Sequence, residues 1–123
     1  MFFPHQFRSK AASPNAIPDH AIGVYVDSLA RSDAALRSSF EFYRALDETI
    51  AQNEQRRTHR LTLPILAIAG ETNLGRLVAE TMSLVADDVE NVIVSGAGHY
   101  PAEERPEAVL GAITAFLDGR VRV

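Results

Sequence analysis

LPILAIAG, residues 63–70, is an apolar run in which polar and apolar positions do not alternate. A strand with one wet face alternates; a strand covered on both faces does not, and parallel sheets are where such strands occur. The run therefore predicts a buried parallel strand over residues 63–69, ended by Gly70. Downstream, Leu77, Val78, Thr81, Leu84 and Val85 fall on one stripe of a helix. Val89 to Val94 supplies a second strand, stopped by Gly96. A strand–helix–strand unit implies a right-handed crossover and a parallel pair. A last helix is expected from Pro106, an apt first-turn residue, with Glu103 and Glu104 just upstream favouring its dipole. Its core face would be Val109, Ala112, Ile113, Phe116 and Leu117, with Gly119 at its end.

Upstream of residue 61 the pattern is helical. Lys10 to Pro18 reads as a loop, and Ile22, Val26 and Leu29 predict a helix over about residues 18–31. Ser32 is a natural N-cap for a second helix, in which Leu36, Phe40 and Tyr43 share a face. A third, more polar helix is expected from Asp47 to about Arg57. The division is thus a helical segment over residues 1–60 and a β-α-β-α part over residues 61–123.

With 123 residues the chain is long enough for one compact domain. Its net charge of −4 argues against a nucleic-acid partner, which would need a concentrated positive surface. The densest positive cluster is Arg56, Arg57, His59 and Arg60, expected to cap a helix end or to be solvated. The absence of cysteine excludes disulfides, thiol catalysis and zinc–thiolate sites. Neither a cofactor nor a metal is expected. The longest apolar run, Leu63 to Ala69, is too short to cross a bilayer, so no membrane partner is expected. The opening Met1-Phe2-Phe3-Pro4 has neither the basic start nor the length of a signal peptide, which makes a cytoplasmic chain the expectation.

In an open parallel sheet, ligands bind beyond the carboxyl ends of the strands. Two loops lie there, Gly70 to Gly75 and Gly96 to Pro101, and the second carries His99. A histidine in that place can relay protons near neutral pH. A plain surface turn is the alternative.

Longer stretches carry more. PILAIAGE (64–71), then VIVSGAGHYPAEERPE (92–107) and an amphipathic helix, resemble the C-terminal portion of α/β-hydrolases. The resemblance is closest to the epoxide hydrolase and haloacetate dehalogenase branch. IPDHAIGVYV (17–26) and ALRSSFEFYRAL (35–46) look like the helical cap of that branch, so the likeness spans about residues 10–118. It implies an α/β fold, the C-terminal part of an α/β-hydrolase: a helical cap segment followed by two parallel strands with flanking helices.

The resemblance implies roles as well. His99 would be the catalytic histidine, and Tyr43 the cap tyrosine that hydrogen-bonds an epoxide oxygen or a departing halide. A phenol there stabilises charge developing on the leaving atom; the competing role for Tyr43 is packing with Leu36 and Phe40. The acid that orients the histidine follows the first strand in many relatives, and in some it stands one strand earlier, which would put it outside this chain. Asn73 stands at the first of these places, and an amide cannot stabilise an imidazolium as a carboxylate does. Glu71 is the nearby candidate acid, with capping of the following helix as its other possible role.

One departure bears on activity. The branch carries its nucleophile on a Gly-x-Asp-x-Gly or Gly-x-Ser-x-Gly elbow, and no two glycines here stand four positions apart. No histidine is followed by glycine either, so the segment that helps build the oxyanion hole is missing. The expectation is a hydrolase of epoxide hydrolase or haloacid dehalogenase type, represented by a fragment that is inactive alone. Its small-molecule substrate would be an epoxide, a haloacid or an ester. The rival reading is a non-catalytic association module, or half of a split hydrolase completed by a partner chain. Either way, the unpaired apolar edge of residues 63–69 predicts self-association or a partner there, unless residues 1–7 fold back over it.

Overall fold

In the computed structural model, which describes residues 2–119, four helices precede a β-α-β-α unit. The helices are α1 (Phe2–Lys10), α2 (Asp19–Ala30), α3 (Asp33–Arg44) and α4 (Leu46–Arg56). There follow β1 (Ile65–Gly70), α5 (Leu77–Ser83), β2 (Val89–Val94), the single turn α6 (Pro101–Glu104) and α7 (Pro106–Asp118).

The two strands pair in parallel, with Ile65 opposite Val89 and Gly70 opposite Val94. β1 starts two residues later than the apolar run, because Leu61 makes its own parallel bridge to Ala86 before Pro64 intervenes. Gly70 does not lie outside the strand; it is the last residue of it. A β-carbon on Gly70 would lie 1.9 Å from the carbonyl oxygen of Gly98, so only glycine lets the loop after β2 cross the end of β1. Gly96, at φ +66°, turns that loop.

Coverage of the sheet is less complete than the apolar run implied. Ala67 and Ala69 are buried, whereas Leu66 and Ile68 are only half-buried and Ile93 is exposed. The buried apolar set among the described residues is Ile17, Ile22, Val94 and five alanines, Ala67, Ala69, Ala79, Ala86 and Ala97. Along α7 the expected core face is half-covered at Val109, Ala112 and Phe116, while Ile113 and Leu117 are exposed.

Local chemistry explains the helix ends. The Ser32 hydroxyl accepts from Ala35 N at 3.1 Å, as its N-cap position requires. Arg60 does cap a helix end, that of α5. Its guanidinium pairs with Asp87 and donates to the carbonyls of Ser83, Leu84 and Ala86, which close the end of α5. Among the described residues no helix is long and apolar enough to cross a membrane.

The unanticipated element is α1. It packs on α2, and Phe7 stacks on Tyr25 with ring centres 5.3 Å apart. Phe7 also meets Tyr100 at 5.2 Å, so residues 2–7 lie over the loop after β2, not along the edge of β1.

Candidate active site

Both strands end at the same side of the molecule, and the loops that follow them meet there. Thr72 in the first loop donates to the Ala97 carbonyl through N at 3.0 Å and Oγ1 at 3.1 Å. His99, in the second, is exposed, and its N–H donates to the Lys10 carbonyl at 2.9 Å. Its ring sits edge-on to Tyr100, centres 5.0 Å apart.

His99 Nδ1 lies 3.1 Å from Asn73 Oδ1. An amide oxygen only accepts, so this contact calls for the Nδ1–H tautomer and leaves the Nε2 lone pair free. Asn73 thus stands where the sequence placed it.

Glu71 is oriented elsewhere. Its Oε2 accepts from Ser95 Oγ and from Gly96 N, each at 2.9 Å. Those two bonds hold its carboxyl below the usual range, the Gly96 amide contributing most and Ser95 next. Both residues lie in the turn that follows β1, where Glu71 is held by the 95–96 turn and Asn73 meets His99. The expected Glu71–His99 contact is not formed in this structure, where Asn73 meets the ring instead. Glu71 neither bonds nor ion-pairs with His99, and it caps no helix.

Tyr43 belongs to α3 and is 68% exposed. It lines a cleft of about 220 Å³ together with His99, Tyr100, Phe3, Phe7 and Phe40. Phe3 stacks on Phe40 with centres 5.9 Å apart, so α1 supplies an aromatic wall. Burial, followed by the neighbouring Tyr43 phenol and Glu104, raises the pKa of Tyr100 above the usual phenol range. Tyr100 is therefore a neutral phenol at physiological pH.

His99 and Tyr43 are brought together; Glu71 is not. Three contributors were missed by sequence reasoning: the aromatic wall of α1, Tyr100, and Glu104. The spacing of Phe3 and Phe7 was a legible helical signal, since residues four apart share a face. Glu104 left no such mark, because a glutamate ahead of Pro106 reads as a favourable helix charge.

A larger groove, about 920 Å³, lies between the end of α4 and α5, lined by Leu61, Met82 and Val85 among others. It flanks the segments that precede both strands, opposite the loops that carry His99 and Asn73. Among the described residues no three His, Cys, Asp or Glu side chains are grouped to hold a metal ion.

No family model matches the chain. It is 31% identical over 107 residues to the soluble epoxide hydrolase of Corynebacterium sp. (strain C12), covering 85% of this chain and 36% of that protein. Among solved structures it matches Cfl2 from Burkholderia cenocepacia at TM-score 0.84 and 29% identity, over 94% of this chain and 39% of that one. The epoxide hydrolase CorEH matches at TM-score 0.85 and 25% identity, over 96% of this chain and 42% of that one. The Cif epoxide hydrolase from Acinetobacter nosocomialis shares the fold at TM-score 0.85 and 22% identity, over 94% and 38%. The chain therefore spans well under half the length of each of these proteins. Over that span its fold matches the helical cap and C-terminal portion of those α/β-hydrolases.

Proposed function

We propose that this chain supplies the cap tyrosine and the histidine of a site that hydrolyses an epoxide through a covalent ester. The observation that carries the reading is the cleft itself: the Tyr43 side chain and the His99 ring line one aromatic-walled space. An epoxide is favoured over a haloacid because the curated relative and two of the structural relatives are named as epoxide hydrolases.

The nucleophilic carboxylate lies outside these 123 residues, which contain no elbow. Its oxygen attacks an epoxide carbon, the carbon–oxygen bond of the ring breaks, and an ester forms. Tyr43 donates its proton to the departing oxygen, which becomes a hydroxyl. His99 Nε2 then takes a proton from water, whose oxygen attacks the ester carbonyl carbon. Cleavage restores the carboxylate and releases a vicinal diol, and the proton held on His99 returns by way of solvent to Tyr43. One water is consumed. Asn73 keeps Nδ1 protonated throughout, and so keeps Nε2 the basic nitrogen.

The test uses the 123-residue chain and a chimera in which it replaces the matching part of the Corynebacterium soluble epoxide hydrolase. The chain alone is expected to leave an aryl epoxide intact, while the chimera opens it. His99→Ala in the chimera should cut turnover about 10²- to 10⁴-fold, the weight of a general base, and leave the ester detectable by mass spectrometry. Tyr43→Phe should slow ester formation about 10- to 100-fold. Hydrolysis by the chain alone, or a folded chimera indifferent to His99→Ala, would sink the reading. Turnover of a haloacid in place of the epoxide would keep the histidine's role and replace the substrate.

A further inference from the structure

Glu104 is 6% exposed and is the buried charged residue among those described. Its oxygens collect three backbone N–H groups. Oε1 accepts from Gly98 and from Tyr100, each at 3.0 Å, and Oε2 accepts from Ala12 at 2.7 Å. Gly98 and Tyr100 are the residues on either side of His99. The His99 amide itself goes to the carbonyl of Lys10, in the segment that Glu104 grips through Ala12. The ladder of β2 ends at Val94, so none of these amides has a strand partner. Without the carboxylate, the amides of Gly98 and Tyr100 would be left unmatched in a part-buried loop.

We propose that Glu104 is a positioning residue. It fixes the backbone on both flanks of His99, sets the ring against Asn73, and thereby selects the tautomer with a free Nε2. The consequence for catalysis rests on the hydrolase reading above; the effect on the ring does not. Three donors converging on two oxygens also explain why the residue is an acid. Glutamine has one carbonyl oxygen, and its NH₂ group would face either Ala12 N or the Gly98 and Tyr100 pair, donor against donor.

A purely structural role would lower stability and leave the ring state of the folded molecules alone. The readout is therefore the His99 tautomer, taken from long-range ¹H–¹⁵N correlations of the full ¹⁵N-labelled chain, with His99→Gln identifying the signal. In the unaltered protein the Nδ1–H form is expected to dominate. In Glu104→Gln and Glu104→Ala its ratio to the Nε2–H form should fall about tenfold, the equilibrium weight of one charge-assisted hydrogen bond. Ile22→Ala, which removes a buried α2 side chain and none of the carboxylate's bonds, should lower stability without moving the ratio. A ratio unchanged in Glu104→Gln, or moved equally by Ile22→Ala, overturns the proposal. So does fast hydrogen exchange at Gly98 and Tyr100 in the unaltered chain, a measurement that needs no variant. A shifted tautomer with no hydrolysis in the chimera removes the hydrolase reading and leaves the role of Glu104 standing. Hydrolysis with an unmoved tautomer does the reverse.

Discussion

Asn73 Oδ1 lies 3.1 Å from His99 Nδ1, and an amide there settles the tautomer of the ring without balancing its charge. The carboxylate nearest in sequence, Glu71, is committed to Ser95 and Gly96. That commitment has a consequence for stability. The folded Glu71 carboxyl holds its proton less tightly than the unfolded one, whose ordinary value is 4.5. Its contribution is therefore fully present above that ordinary value and is lost as pH falls through the depressed folded value. Glu71→Gln should flatten the acid limb of stability, read as melting temperature between about pH 3 and 6, and leave the neutral region nearly level. An acid limb identical to that of the unaltered protein would show that these bonds do not form in solution. His99 and Asn73 were legible because their place depends on where a strand ends. The partners of Glu71 and Glu104 were not, since both acids bond to backbone amides, and a sequence does not display which amides a fold leaves unpaired.

At the scale of elements, β1 and the N-cap of α3 were readable because an apolar run and a serine ahead of a helix act locally. The covering of those elements was not readable. Leu77 and Leu84 share a predicted stripe, yet both are exposed, and α5 stops after seven residues at Ser83, before Leu84. The glycines test the packing that did form. Gly70→Ala would push a β-carbon to within 1.9 Å of the Gly98 carbonyl oxygen, against backbone that Glu104 already holds. A cost of at least about 2 kcal/mol is expected, the scale of overpacking a site that cannot relax. Gly111, inside α7, meets nothing within 4 Å of an added β-carbon. Gly111→Ala should instead stabilise by about 0.5–1 kcal/mol, from helix propensity and reduced unfolded-state entropy. Chemical denaturation of both variants decides the matter: equal and small effects would mean that the loop does not cross the end of β1 as closely as described.

For the whole molecule, alanines dominate the buried apolar set, while Leu61, Leu63, Leu110 and Leu117 are among the large apolar side chains left exposed. A core of that kind contributes little transfer free energy per residue. The sheet among the described residues has two strands, so the far edge of β1 is unpaired within it. Such an edge recruits another strand, and the expected occupant is a second copy of this chain, paired antiparallel across a two-fold axis. The ladder identifies which residues face that edge. Ile65 N donates to Asp88 O at 2.9 Å and Glu71 N to Val94 O at 3.1 Å, so the odd-numbered amides of β1 point into β2. The amides of Leu66 and Ile68 therefore point away from it. Proline at either position removes a donor that the folded monomer does not use. Sedimentation of the unaltered chain at micromolar concentration is expected to give a dimer, and Leu66→Pro or Ile68→Pro a folded monomer with the same circular dichroism. Ile65→Pro, which deletes a bond inside the sheet, should unfold the chain. A soluble, monomeric unaltered chain would remove the dimer, and a Leu66→Pro variant that stays dimeric would move the interface off this edge.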